Sequence, residues 1–362
     1  VRYGEFNKVE TVMEQRIEVG VLGATGMVGQ QFVRLLANHP WFRLTWLGAS
    51  DRSAGKIYAD ATTWRLDGQM PAETAALPVY ECKPQNAPAI MFSATDASVA
   101  TEIEREFAKA GHWVISNSRN HRMERDVPLL VPEINADHLR VLPTQQKLRG
   151  WSGGILTNPN CSTIGLVMAL GPLRQFGIRK VVVATMQAVS GAGYPGVPSM
   201  DILGNVVPYI GGEEEKMQTE TQKILGTFDG DQIAPMTANV SAHCNRVPAI
   251  DGHTVAVSVE LEDDPGMERL REAIAGFSGR PQELDLPFAP KQPLVVTDAP
   301  DRPQPRRDAM AANGMAVTVG RLRECTVFDY KFVALVHNTI RGAAGAAILN
   351  AELLVKEGYL RG

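Results

Sequence analysis

The sequence predicts an α/β chain built in two parts: a parallel-sheet domain first, then an α+β domain, with the last helix returning to the first part. Three observations carry this prediction. In the first half, short apolar runs alternate with amphipathic segments, the pattern of repeated βαβ units in a parallel sheet. A glycine-rich turn separates the first apolar run from the first amphipathic one. Beyond Cys161 the texture changes to longer runs of period two with few helices, as in a mixed or antiparallel sheet covered on one face.

Each element follows in order. RIEVGVLG (16–23) reads as a strand, TGMVGQQFVRLLANHP (25–40) as a helix closed by Pro40, and FRLTWLGAS (42–50) as a second strand. AIMFSA and HWVISN read as strands flanking the helix SVATEIEREFAKAG. GGILTN is extended, and CSTIGLVMALGPLRQFG continues it as a helix. In the second part KVVVATMQAV, TVAVSVELE, LVVTDA, MAVTVGRL and YKFVALVHN read as strands; EEEKMQTETQKILG and GMERLREAIAGF read as helices. DAPDRPQPRRD reads as a surface loop. NTIRGAAGAAILNAELLVKEG closes the chain as a helix whose small residues suit close packing onto the first part. The opening VRYGEFNKVETVMEQ lacks periodicity and reads as an arm or an appended remnant, with Met13 as the natural start.

With 362 residues the chain has room for two cores, and its net charge of -4 lacks the basic block that nucleic acid or an anionic membrane would require. No membrane span or secretory leader is legible. Cys82, Cys161, Cys244 and Cys325 are scattered without metal-ligand spacing and read as thiols, which points to the cytoplasm and to no metal.

VGVLGATGMVGQQFVRLL places Gly23, Gly26 and Gly29 between strand and helix, a GxxGxxG variant of the dinucleotide fingerprint. This makes the first part Rossmann-like, with Gly23, Thr25, Gly26, Met27 and Val28 lining a pyrophosphate at the helix N-terminus. At the end of the second strand, Ser50, Arg52, Ser53 and Lys56 suit a ribose 2′-phosphate, so NADP is the expected cofactor, with Asp51 as the one dissenting charge.

Cys161 follows the turn-forming NPN and opens a helix, where a thiolate is favoured and unpaired N–H groups can hold an oxyanion. A buried structural cysteine fits the same position equally well. Its proton partner has to be a histidine. His39, His112, His121 and His138 fall in turns or surface-like segments, and His337 ends a strand. His253 follows Asp251-Gly252, a tight hairpin signal, at the mouth of an alternating strand. Arg246 and Lys216 are candidate anion holders, and Gln187 opens a Gly/Pro-rich loop that should line a site.

GATGMVGQ, SNSRNHRMERDVPLLVPEIN, NPNCSTIG, QAVSGAGYPGVPSMD, EEEKMQTET, NRVPAIDGHT and HNTIRGAAGAAILNAELL occur in the order expected of one family. From about Ile17 to the C-terminus the chain resembles aspartate-semialdehyde dehydrogenase in its archaeal and fungal branch. The resemblance implies that Cys161 is the nucleophile, His253 the acid/base and Gln187 a residue that positions substrate. It gives Arg246 to the substrate, Glu213 to its amino group, and Lys216 and Arg122 to phosphate, with Arg119 the alternative to Arg122. Ser190, Gly191, Gly193 and Asn338 resemble cofactor contacts. It also implies NADP-dependent reductive dephosphorylation of L-aspartyl 4-phosphate in lysine, threonine and methionine biosynthesis, by a homodimer or homotetramer. Residues 16–156, completed by 339–362, would bind the dinucleotide; residues 157–338 would form the catalytic and dimerisation domain. Malonyl-CoA reductase shares several of these segments but departs around NPNCST and NRVPAIDGH. A non-catalytic cofactor-binding sensor on the same fold would leave Cys161 chemically dull.

Overall fold

The computed structural model describes residues 16–360, so the reading of the first fifteen residues lies outside the described part. Six strands form the first sheet: β1 (Ile17–Leu22), β2 (Phe42–Ala49), β3 (Val79–Glu81), β4 (Ile90–Ser93), β5 (Trp113–Ser116) and β6 (Gly154–Thr157). Their order is β3-β2-β1-β4-β5-β6, and every pairing is parallel. In such a sheet the chain reverses its strand order beside β1, and the carboxyl ends of β1 and β4 open a crevice there. Burial on both faces explains the continuous apolar runs: β4 and β5 are buried along their whole length.

The first helix is Met27–Leu36, ending four residues before the expected Pro40. It stops because the His39 ring turns back to accept the N–H groups of Trp41 and Phe42 at 3.1 and 3.0 Å, which starts β2. Helix Ala97–Lys109 begins on Asp96, whose carboxylate accepts from Ser98 N–H at 2.9 Å.

The second sheet starts before, and continues after, a small separate hairpin of β8 (Thr227–Phe228) with β9 (Ile233–Ala234). It contains β7 (Ile178–Gln187), β10 (Asn239–Arg246), β11 (His253–Leu261), β12 (Leu294–Thr297), β13 (Val317–Glu324) and β14 (Tyr330–Val336), in the order β10-β7-β11-β14-β13-β12. The sheet is mixed, with β10/β7 and β12/β13 parallel and the rest antiparallel. Helices Cys161–Leu170, Glu213–Ile224 and Met267–Ala275 cover one face. Val183, Val257, Val319 and Phe332 from the strands meet Val167, Met217 and Ile274 there. The alternate residues Val182, Met186, Ala256 and Val333 stay half-exposed on the other face.

Three expectations are corrected. β10 was not legible as a strand: its sequence NVSAHCNR is poor in β-formers, yet Ala242, Cys244 and Arg246 alternate inward against β7. Asp251-Gly252 is no hairpin turn, because β7 lies between β10 and β11; Gly252, with φ +94°, instead turns the chain beneath Pro305 and Ala309. The Pro-rich stretch is more than a surface loop, since it contains a helical turn, Pro305–Asp308, whose buried Asp308 pairs with Arg302.

The last segment opens as a π turn, Ile340–Ala344, and continues as the helix Gly345–Lys356. That helix returns to the first sheet and is buried from Gly345 to Leu354, with Ile348, Leu349 and Leu353 in the first core. Among the described residues no helix is long and apolar enough to cross a membrane.

Candidate active site

Cys161 is the first residue of its helix, directly beyond β6. Asn160 caps that helix, its Oδ1 accepting from Ser162 N–H at 2.9 Å and Thr163 N–H at 3.3 Å. This narrows the expectation of free N–H groups for an oxyanion: the cap occupies those of Ser162 and Thr163, while Ser162 N–H also bears on the thiol and lowers its pKa. Gly165 is required within the helix, because a Cβ there would lie 2.8 Å from Val336 Cγ1. Gly342 of the π turn packs on Cys161; a Cβ there would come within 2.8 Å of Cys161 Cβ.

Burial, three charged side chains and the Ser162 backbone N–H set the electrostatics of the thiol. Burial pushes Cys161 up to about 12, Glu213 adds to the rise, and Arg122 and Arg246 oppose it. Because Cys161 keeps partial exposure, water moderates the push from burial. The sulfur is therefore a thiol at neutral pH, and it becomes a nucleophile only where its proton is drawn off.

Gln187 and Arg246 end the parallel strands β7 and β10 and stand in register with each other. Arg246 is held from two sides: its guanidinium donates to Ala188 O at 2.8 Å, and its backbone pairs with Val207. Gln187 Nε2 lies 3.4 Å from Glu213 Oε2, which also accepts from Asn160 Nδ2 at 2.7 Å. Lys216 Nζ bonds the other Glu213 oxygen at 2.7 Å, one helical turn along.

His253, fully buried, is the first residue of β11. Its Nδ1 accepts from Ala188 N–H at 3.0 Å, which fixes the neutral ring as the Nε2–H tautomer. Nε2 has no partner among the described residues. Burial, with Arg246 and His337 nearby, lowers the ring's pKa to about 3, so it is neutral at physiological pH. Gly191 passes over this ring: a Cβ there would lie 2.8–2.9 Å from His253 Cε1, His253 Nε2 and Arg246 NH1. His39, His121 and His138, expected in surface-like segments, are buried, and each ring is hydrogen-bonded.

Arg122 is 8% exposed, with NH1 on Glu220 at 2.8 Å and NH2 on Asn117 O at 2.8 Å, while its buried Nε has no partner. Arg119 is exposed and faces Asp96 instead. Sequence reading passed over Asn117, Asn160 and Glu220. Asn160 carried a signal, being a cap residue type directly before a helix, and Glu220 lies seven residues from Glu213 on the same helical face.

The glycine loop has the shape a dinucleotide needs. Gly23 has φ +74°, and a Cβ there would meet Ala94 O at 2.5 Å, whereas a Cβ at Gly26 would make only an ordinary contact with Gly23 O at 3.6 Å. Gly26 caps helix Met27–Leu36 without a side-chain hydrogen bond, so an anion can approach the loop N–H groups of Thr25, Met27 and Val28. Beyond β2, Ser50 and Arg52 are exposed around a turn closed by Ser53 N–H on Ser50 O. On the far side, Asn338 Nδ2 donates to Ser190 Oγ and its Oδ1 accepts Gly252 N–H, both at 2.8 Å. Gly193 bends the same loop with φ +71°. The two sides meet where Arg65 lies 3.5 Å over the Tyr194 ring and Gln31 donates to Thr339. A separate cavity of about 410 Å³, lined by Glu133, Arg140, Arg280 and Tyr359, contains none of these residues. No group of His, Cys, Asp or Glu among the described residues is arranged to hold a metal ion.

Residues 18–142 match the model of the semialdehyde dehydrogenase NAD binding domain, and residues 170–341 that of the semialdehyde dehydrogenase dimerisation domain. The aspartate-semialdehyde dehydrogenase of Archaeoglobus fulgidus is 51% identical over 343 residues, covering 94% of this chain and 99% of the relative. That of Schizosaccharomyces pombe is 50% identical over 353 residues, covering 95% and 99%. The Candida albicans aspartate-semialdehyde dehydrogenase solved with NADP superposes with a TM-score of 0.88 at 44% identity, over 96% of this chain and 100% of that one. The chain belongs to the aspartate-semialdehyde dehydrogenase family.

Proposed function

We propose that this chain catalyses the NADPH-dependent reductive dephosphorylation of L-aspartyl 4-phosphate to L-aspartate 4-semialdehyde, through a thioester on Cys161. One observation carries the reading: Cys161 at a helix N-terminus shares its electrostatic surroundings with Arg122, Arg246 and Glu213. Two cations and one carboxylate around a nucleophile suit a substrate that carries phosphate, carboxylate and ammonium together.

Arg246 holds the substrate carboxylate and Glu213 its ammonium group, with Gln187 alongside. The phosphoryl group lies on Lys216 and on the unpartnered Nε–H of Arg122. Sulfur attacks the acyl carbon, the bond to the phosphoryl oxygen breaks, and the thiol proton departs with phosphate. The thioester carbonyl oxygen faces Nε2–H of His253, a neutral donor that stabilises negative charge on that oxygen as it develops. NADPH supplies the hydride when bound. Collapse of the resulting thiohemiacetal expels the Cys161 sulfur, which takes a proton from solvent as the aldehyde leaves. Covalent capture divides one difficult displacement into two easier steps.

NADP fits the cleft by the uncapped helix N-terminus at Gly26, with Ser190, Gly191, Gly193 and Asn338 opposite. Exposed Ser50 and Arg52, with half-buried Ser53, would take the 2′-phosphate. The same reading divides the chain into residues 16–156 with 339–362, and residues 157–338. It also makes the protein a cytoplasmic homodimer or homotetramer of lysine, threonine and methionine biosynthesis, associating through the half-exposed face of the second sheet. Light scattering reads the subunit number directly.

The test is phosphate-dependent reduction of NADP with L-aspartate 4-semialdehyde, run beside Cys161→Ala. Turnover that needs both phosphate and Cys161 is expected. Turnover of malonyl-CoA with NADPH in its place would assign the rival reductase, and silence with both substrates would leave the sensor.

A further inference from the structure

One buried charge takes no part in the chemistry just described. Glu220 is 2% exposed on helix Glu213–Ile224, where a carboxylate is costly unless both its oxygens are satisfied. Each oxygen has a different partner. Oε1 accepts from Arg122 NH1 at 2.8 Å, and Oε2 accepts the backbone N–H of Asn160, the cap of the Cys161 helix, at 2.6 Å. Three residues along, Lys223 Nζ donates to the carbonyls of Arg122, Glu124 and Val127 at 2.7–2.8 Å. One helix thus grips Arg122 by both its side chain and its main chain, and through Asn160 it also fixes the start of the nucleophile's helix.

We propose that Glu220 is a positioning residue that sets the phosphate-binding donors of Arg122 in register with Cys161. The proposal rests on the function given above. A carboxylate accepts at both oxygens, whereas a glutamine offers one acceptor and one donor. Glu220→Gln therefore turns an N–H either against Arg122, which is then held by Asn117 O alone, or against Asn160 N–H, which shifts the start of the Cys161 helix; either way the two move out of register.

The experiment compares wild type, Glu220→Gln, Arg122→Gln and the double variant in the phosphorylating direction. The KM for phosphate is expected to rise at least tenfold in Glu220→Gln while the KM for NADP stays within twofold. In the Arg122→Gln background, the same change should add less than threefold. Equal shifts of both KM values, a phosphate KM within twofold of wild type, or a full tenfold addition in the double variant would overturn the proposal. A second readout needs no turnover: the inorganic phosphate concentration that half-protects Cys161 from iodoacetamide should rise at least tenfold in Glu220→Gln. Wild type that binds phosphate without turning over refutes the proposed reaction but leaves this inference standing; wild type that does not bind phosphate refutes both. If Glu220→Gln does not fold, Glu220→Asp, one methylene too short to span both partners, carries the same comparison with the same expected direction.

Discussion

Replacing Glu213 by Gln should move two properties of the site in opposite directions. Glu213 is the carboxylate that raises the Cys161 thiol, second only to burial, and its own Oε1 neutralises Lys216. The amide keeps the side-chain shape and an oxygen for Asn160 Nδ2, removes the negative charge, and leaves Lys216 unneutralised. A single nearby charge shifts a pKa by roughly 1–3 units. Cys161 keeps contact with water, so the lower end applies, and about one unit corresponds to a tenfold larger thiolate fraction at fixed pH. Pseudo-first-order alkylation by iodoacetamide between pH 7 and 9, localised to Cys161 by mass spectrometry, should accelerate about tenfold. Turnover should do the reverse, because the substrate ammonium loses a charged partner worth about 1.5–3 kcal/mol, or roughly 10- to 100-fold in kcat/KM. Alkylation that is unchanged or slower in Glu213→Gln would refute the claim that this carboxylate holds the thiol protonated.

Three further outcomes follow from the geometry. Gly191→Ala should lower kcat by roughly 10-fold or more, since its methyl would press on a His253 ring already pinned by Ala188 and on Arg246; a kcat within twofold of wild type would show that the loop yields. His253, with its pKa lowered to about 3, contributes stability that is present above about pH 6.5 and lost as pH falls toward 3; its ring proton, followed by NMR, should show no titration between pH 5 and 8. Glu352 is raised to about 8 by burial, so its contribution is present below the ordinary carboxylate range and lost as pH rises through 8. The melting temperature of wild type should accordingly fall relative to Glu352→Gln between pH 5 and 8, and parallel curves would refute that assignment.

Most of the first sheet was legible because each of its strands except the edge strand β3 is a short apolar run next to a turn or helix signal, and burial on both faces leaves little room for polar residues. β10 failed the same test because it is an edge strand, with Asn239, Ser241 and His243 facing outward, and only its pairing with β7 makes it extended. The glycine loop and the Cys161 helix start were visible as local grammar. The state of Cys161 was not, since its pKa depends on Glu213, Arg122 and Arg246, which arrive from three distant segments. Histidine burial was misread for a similar reason. His39 sits in a turn, yet Phe288 and Glu352, hundreds of residues away in the chain, close over it. Glu220 looked like one more charge on a charged helix until the fold brought Arg122 and Asn160 to its two oxygens.

The C-terminal helix also has a consequence for how the chain is made. All six strands of the first sheet have been synthesised by Thr157, but the helix Gly345–Lys356 that fills one face of their core emerges roughly two hundred residues later. At about 5–20 residues per second that interval is on the order of 10–40 s on the ribosome. Throughout it, the apolar residues that later meet Ile348, Leu349 and Leu353 lack their cover, and Cys161 lacks the wall that Gly342 provides. The nascent chain therefore carries an unfinished core past a whole second sheet, a period in which a holdase has something to bind and the enzyme has nothing to catalyse.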